Sequence, residues 1–162
     1  MTIYNVTEVE PRIYLKETNN HPYRAQLTSP EEVLNFIKDY MADLTTECIL
    51  VFNLDNRGNV INFSKVGVGT ANMVISAGRE IFKTAILSNA CGILLCHNHL
   101  SDDPAPSKED AQFTRMMVKS GQLLNIALID HLIVTPTRNY YSFLCSLPTI
   151  FNLNETTIAT AK

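Results

Sequence analysis

The 162-residue sequence predicts an α/β domain in which a mixed sheet is covered by helices. Three observations carry that expectation. At 46% hydrophobic, a chain of this length can bury a proper core. Short continuous apolar runs of strand length alternate with segments of helical spacing. Two polar turns, Asp55-Asn-Arg-Gly-Asn59 and Thr135-Pro-Thr-Arg-Asn139, each join consecutive strand-like runs, so strand pairs are expected both early and late in the chain.

Residues 1–28 read as an extended or irregular lead-in with weak strand character around Ile13-Tyr-Leu-Lys16. Ser29-Pro30-Glu31-Glu32 then opens a helix: Ser29 is placed to cap, Pro30 occupies the first helical position and acids fill the first turn. Its apolar spacing runs through Val33, Phe36, Ile37 and Met41, with an end near Leu44. Residues 47–54 form a nearly unbroken apolar run, as expected of a strand buried on both faces, and 60–68 supply its hairpin partner. Helical spacing returns over 77–89 through Ile81, Phe82, Ala85 and Ile86, and 92–96 is a second buried strand. Ser107 caps a helix of about four turns with Phe113, Met116 and Met117 on its inner side. A strand over 126–134 and a short one over Tyr140-Tyr-Ser-Phe-Leu144 complete the pattern. The domain is therefore expected over 29–146, with 147–162 a loose tail.

A net charge of -3 and the lack of any Lys/Arg cluster give no general attraction to nucleic acid or anionic lipid. No apolar run reaches the roughly 20 residues of a membrane span, and the first residues lack the order of a secretory signal, so a soluble, cytoplasmic protein is expected. Cys48, Cys91, Cys96 and Cys145 sit in or beside apolar segments without a C-x-x-C spacing and are read as reduced core residues.

Chemistry concentrates at His97-Asn98-His99, where a buried strand gives way to a polar loop. Along an extended backbone, side chains two apart point the same way, so both imidazoles can face one ion while Asn98 points elsewhere. Asp110 follows in the first turn of the next helix, after a loop short enough to return its carboxylate to the histidines. Two neutral imidazoles and a carboxylate around Zn2+ leave one position for water, which would ionise near neutral pH. Each part also has a plainer reading. Ser107 and Asp110 fit a capping box, a His pair at a strand end can be structural, and Glu47, the best candidate for moving a proton, could be a solvated strand-end acid.

Glu47, the H-x-H at 97–99, Ser107 and Asp110 resemble the signature of the JAB/MPN (JAMM-motif) metalloprotein domain. Within it, ECILVFNLDNRGNVI, GREIFKTAI, ACGILLCHNH, DPAPSKED and IDHLIV are similar to successive blocks of the RadC-type bacterial, DNA-repair-associated branch, over roughly residues 30–146. The resemblance implies a three-layer αβα fold related to that of cytidine deaminases, one zinc per chain, and metallopeptidase or isopeptidase hydrolysis through a metal-bound water. It also implies His97, His99 and Asp110 as ligands, Glu47 as general acid/base and Ser107 as donor to the developing oxyanion. Two positions depart from the family: its H-P-S-G is here His99-Leu100-Ser101-Asp102, so an altered loop with retained ligands is expected. Asp102 and Asp103 add negative charge that could tighten the cation or compete as ligands. His131 matches a D-H pair of the family and is expected in the core or behind the ligands, while Arg79-Glu80 anchors its helix.

The expected function is a zinc-dependent hydrolase with a peptide or protein substrate. The alternative is a RadC-like DNA-repair or mobile-element accessory protein acting on or near nucleic acid, against which the net acidity counts mildly. A non-catalytic metal module is disfavoured by the full residue set. A two-His-one-carboxylate iron oxygenase is disfavoured by the alternation of helices and strands.

Overall fold

The computed structural model describes residues 30–42, 44–68 and 73–152. The lead-in, Ser29 and the tail from 153 onward lie outside the described residues. The elements follow in the order α1 (Pro30–Met41), β1 (Cys48–Leu54), β2 (Val60–Val68), α2 (Met73–Leu87), β3 (Gly92–Asn98), α3 (Lys108–Leu124), β4 (Ala127–Val134), β5 (Tyr140–Ser142) and α4 (Phe143–Ser146), with a final 3-10 turn at Pro148–Ile150. The strands form one sheet in the order β2-β1-β3-β4-β5. Only β3 and β4 run parallel; the β1/β2, β1/β3 and β4/β5 pairs are antiparallel, so the sheet is mixed. The β1–β2 hairpin turns on Asp55, whose carboxylate accepts from the Arg57 and Asn59 amides, and on Gly58 at φ 83°.

Every residue of β1 is buried, because the strand lies between β2 and β3 and has helices over both faces. Its alternate side chains divide between two clusters. Cys48, Leu50, Phe52 and Leu54 join Val33, Phe36, Ile37 and Met41 of α1. Ile49 and Val51 join Ile81, Phe82 and Ala85 of α2 and Phe113, Met117 and Val118 of α3. The result is three layers: α1, the sheet, then α2 with α3. Full burial of side chains such as Phe52 and Ile37 contributes about 1.5–3 kcal/mol each. Among the described residues no helix is long and apolar enough to cross a membrane.

Several expectations are corrected. Met116 points outward; the inner face of α3 is Phe113, Thr114, Met117, Val118 and Gly121, following the i, i+4 stripe. The last strand stops at Ser142, whose hydroxyl accepts from the Cys145 amide and starts α4 in place of a longer strand. Residues 147–152 are not a loose tail: Pro148 sets a 3-10 turn that buries Ile150 and lays Leu147 and Phe151 on the α2/α3 cluster. Cys48 and Cys96 are buried as expected, but Cys91 and Cys145 are exposed at element ends. All four thiols are free.

Helix α3 must stop sharply so that β4 can lie beside β3. Asn125 takes the left-handed conformation at φ 54°, and the Ile126 amide returns to the Gly121 carbonyl at 2.9 Å. A Cβ at Gly121 would overlap the Ile126 carbonyl oxygen. Gly121→Ala should therefore lower the urea midpoint, by about 1–3 kcal/mol of stability, without changing the denaturant slope. An unchanged midpoint would mean that this turn yields freely.

Candidate metal centre

The site is built where three strands meet at one end of the sheet. β3 and β4 both finish there and β1 begins there, with His97 paired to Ile49 on one side and Ile133 on the other. Ile93 and Leu95 face the α2/α3 layer, so strand alternation turns His97 toward the same layer. The His99 amide donates to the Val134 carbonyl at 2.9 Å, which keeps the chain extended one step beyond β3. The two imidazoles thus converge, with ring centroids 4.7 Å apart.

Asp110 enters from the first turn of α3. His97 Nδ1 lies 3.6 Å from Asp110 Oδ1, and His99 Nε2 lies 3.6 Å from Asp110 Oδ2. One donor atom from each of the three side chains falls within 4.8 Å of the others. Donors about 2 Å from a tetrahedral ion sit about 3.3 Å apart, so the residues fit such an ion with little movement. The triad could hold a metal ion.

Hydrogen bonds around the triad prepare the donor atoms. His99 Nδ1 lies 2.9 Å from the Asp103 carbonyl, which keeps the proton on Nδ1 and leaves the Nε2 lone pair toward Asp110. Asp110 Oδ2 accepts from the Ser107 amide at 2.8 Å and its hydroxyl at 2.6 Å, while the Asp110 amide donates to Ser107 Oγ at 3.0 Å. This is a reciprocal capping box. Burial works against the Asp110 charge, but contacts with His99, Ser107 and His97 outweigh it and hold the carboxyl well below the usual range. Burial also lowers the His97 pKa, despite the nearby Asp110 and Glu47 charges, and so favours the neutral, ligating form. His99 is raised, chiefly by the Asp110 carboxylate, a contact that a cation would replace.

Glu47 precedes β1 by one residue and shares the strand parity of Ile49, the partner of His97. Its negative charge acts on both histidines. It is exposed. Ser107 is exposed in the cap of α3, bonded to Asp110. Asp102 and Asp103 do not join the cluster among the described residues; Asp103 instead caps the Ala105 amide with its carboxylate at 2.9 Å.

Two supporting residues escaped the sequence reading. Asn98 accepts from the Cys48 amide at 2.7 Å and donates to the Thr46 carbonyl at 3.1 Å. Thr114, one helical turn after Asp110, donates to the Asp110 carbonyl at 2.7 Å and lies 2.8 Å from His131 Nδ1. Since the single hydroxyl proton goes to Asp110, His131 must donate from Nδ1, and its buried Nε2 has no partner among the described residues. The His131 ring stacks on Phe143 at 5.1 Å and lies 5.9 Å from the His97 ring. The available signals were a polar residue ending an apolar strand and a threonine four positions after a candidate ligand.

Taken together, the layers and the strand-end triad define an α/β domain with a candidate single-ion centre. Residues 27–147 match the RadC-like JAB domain, and the chain belongs to that family. It is similar to a UPF0758 protein of Caldanaerobacter subterraneus subsp. tengcongensis, 37% identical over 124 residues that cover 72% of this chain and 53% of the relative. A UPF0758 protein of Thermotoga maritima is 40% identical over 119 residues, covering 70% and 53% respectively. One of Symbiobacterium thermophilum is 40% identical over 111 residues, covering 68% and 47%. The chain spans about half the length of the curated relatives it matches.

Burial, with a smaller effect of the His97 charge, holds the fully buried His131 down to about 3. An unfolded histidine titrates near 6.5, so between about 6.5 and that value the unfolded chain binds a proton that the folded one refuses. Stability should therefore rise with pH across this window. Metal-free protein should show a lower urea midpoint at about pH 5 than at about pH 7.5, and His131→Gln should narrow the difference. Equal midpoints at both pH values would contradict a neutral buried His131.

Proposed function

We propose that this domain is a zinc-dependent hydrolase that cleaves peptide or isopeptide bonds. The observation that carries the reading is the approach of three donor atoms, from His97, His99 and Asp110, to within 4.8 Å of one another, with the exposed acid Glu47 near enough for its charge to act on both histidines. Two imidazole nitrogens and one carboxylate oxygen are the donor set of catalytic zinc, which leaves one coordination position open. When bound there, zinc would polarise the scissile carbonyl and lower the pKa of the attacking water.

The chain's own residues would do the rest. Glu47 takes a proton from the attacking water as its oxygen bonds to the carbonyl carbon, then returns that proton to the amine nitrogen as the C–N bond breaks. Ser107 Oγ receives the Asp110 amide through a lone pair, so its proton, given to Asp110 Oδ2 at 2.6 Å, can turn toward the developing oxyanion. The loop over 99–110 carries Asp102, Asp103, Glu109 and Asp110 against a single lysine, Lys108. Such a rim repels phosphodiesters and tolerates a peptide, which supports a protein substrate over nucleic acid.

Metal analysis of purified protein should find zinc in the wild type and none in His97→Ala. On a fluorogenic peptide library, Glu47→Gln should keep the metal and lose about 10²–10⁴-fold in turnover. Ser107→Ala should lose about 10²–10³-fold and about 1 kcal/mol of stability through its cap. Full turnover in Glu47→Gln would remove that residue from the chemistry. A salt-dependent shift of labelled DNA would support an accessory role near nucleic acid instead.

A further inference from the structure

Asn98 is 2% exposed, and strand alternation sets its primary amide on the face of β3 opposite His97, the face of Cys96 and the α1 layer. An amide buried without partners is destabilising, so its bonds are the reason it is tolerated. Both of its side-chain bonds to described residues go to a segment about 50 residues away. Oδ1 accepts from the Cys48 amide at 2.7 Å, and Nδ2 donates to the Thr46 carbonyl at 3.1 Å. The amide orientation follows from these partners, because a flipped group would set donor against donor and oxygen against oxygen.

The two bonded residues flank Glu47. The backbone ladder between β1 and β3 ends at Ile49 and His97, so Asn98 extends the attachment of the β1 segment to β3 past the last ladder pair. It also lies between His97 and His99 in the chain, which ties the clamp to the candidate ligands. From this geometry we infer that Asn98 is a positioning residue: by holding the peptide groups on either side of Glu47, it fixes that acid relative to His97 and His99. The task needs an acceptor and a donor on one short arm. Aspartate would set a carboxylate oxygen against the Thr46 carbonyl, serine has too short a reach for both bonds, and alanine makes neither.

The inference deepens the hydrolase reading, in which Glu47 moves the proton, and its test separates the two. Co2+ bound to the whole 162-residue chain is the probe, read by the pseudocontact shifts of backbone amides. Asn98→Ala, and the milder Asn98→Ser, should bind one Co2+ and keep the wild-type shifts of Ala111 and Thr114 in α3. Both should lose the wild-type shifts of Glu47 and Cys48. Turnover in the zinc form should fall to the level of Glu47→Gln, with no further loss in the Glu47→Gln/Asn98→Ala double variant. Unchanged Glu47 and Cys48 shifts in both variants would overturn the inference, as would failure of both to bind Co2+, which would make Asn98 a support of the ligands themselves. Should Glu47→Gln turn out fully active, the proton-transfer reading falls while the shifts still decide what Asn98 does.

Discussion

The central constraint is the register of β3 between its two neighbours. Ile49, His97 and Ile133 lie side by side across β1, β3 and β4. A slip of one residue in either pairing would turn His97 into the α1 layer and Asn98 toward α3, since side chains alternate with period two. The register is held by burial on both faces: β1 and β3 bring Val51, Leu95 and Ile93 to one cluster and Leu50, Phe52 and Cys96 to the other. The position of the imidazoles is thus a by-product of core packing. Polar bonds at the strand ends then refine it.

The remaining ligand depends on helix chemistry. Asp110 belongs to the candidate ion site and also to the capping box that starts α3. Behind it, Thr114 joins the first turn of the helix to His131 on β4. Its distance from the histidines is therefore set by a cap in front and a buried hydrogen-bonded chain behind, with Gly121 and Asn125 closing the far end of the same helix against the start of β4.

Much of this could be read from the residues alone. The apolar run of β1, the turn at Asp55–Asn59 and the hairpin partner Val60–Val68 follow from local pattern and turn chemistry, which act over a few residues. The convergence of His97, His99 and Asp110 was legible because a strand end, a short loop and a helix cap are all local features. Other features depend on distant partners. Asn98 stood out only as a polar residue ending an apolar strand, and its bonds could not be read because its partners are about 50 residues away. The outward turn of Met116, the turn at Pro148–Ile150 and the exposure of Cys91 and Cys145 depend on which surfaces the finished layers leave uncovered.

The sharing of Asp110 between cap and ion site has a further consequence. A half-buried carboxylate needs donors, and here the Ser107 amide and hydroxyl satisfy one of its oxygens. The same bonds that start α3 thus orient this carboxylate toward His97 and His99. A change at Ser107 would therefore reach the histidines without touching them, because it would free the carboxylate that faces both rings.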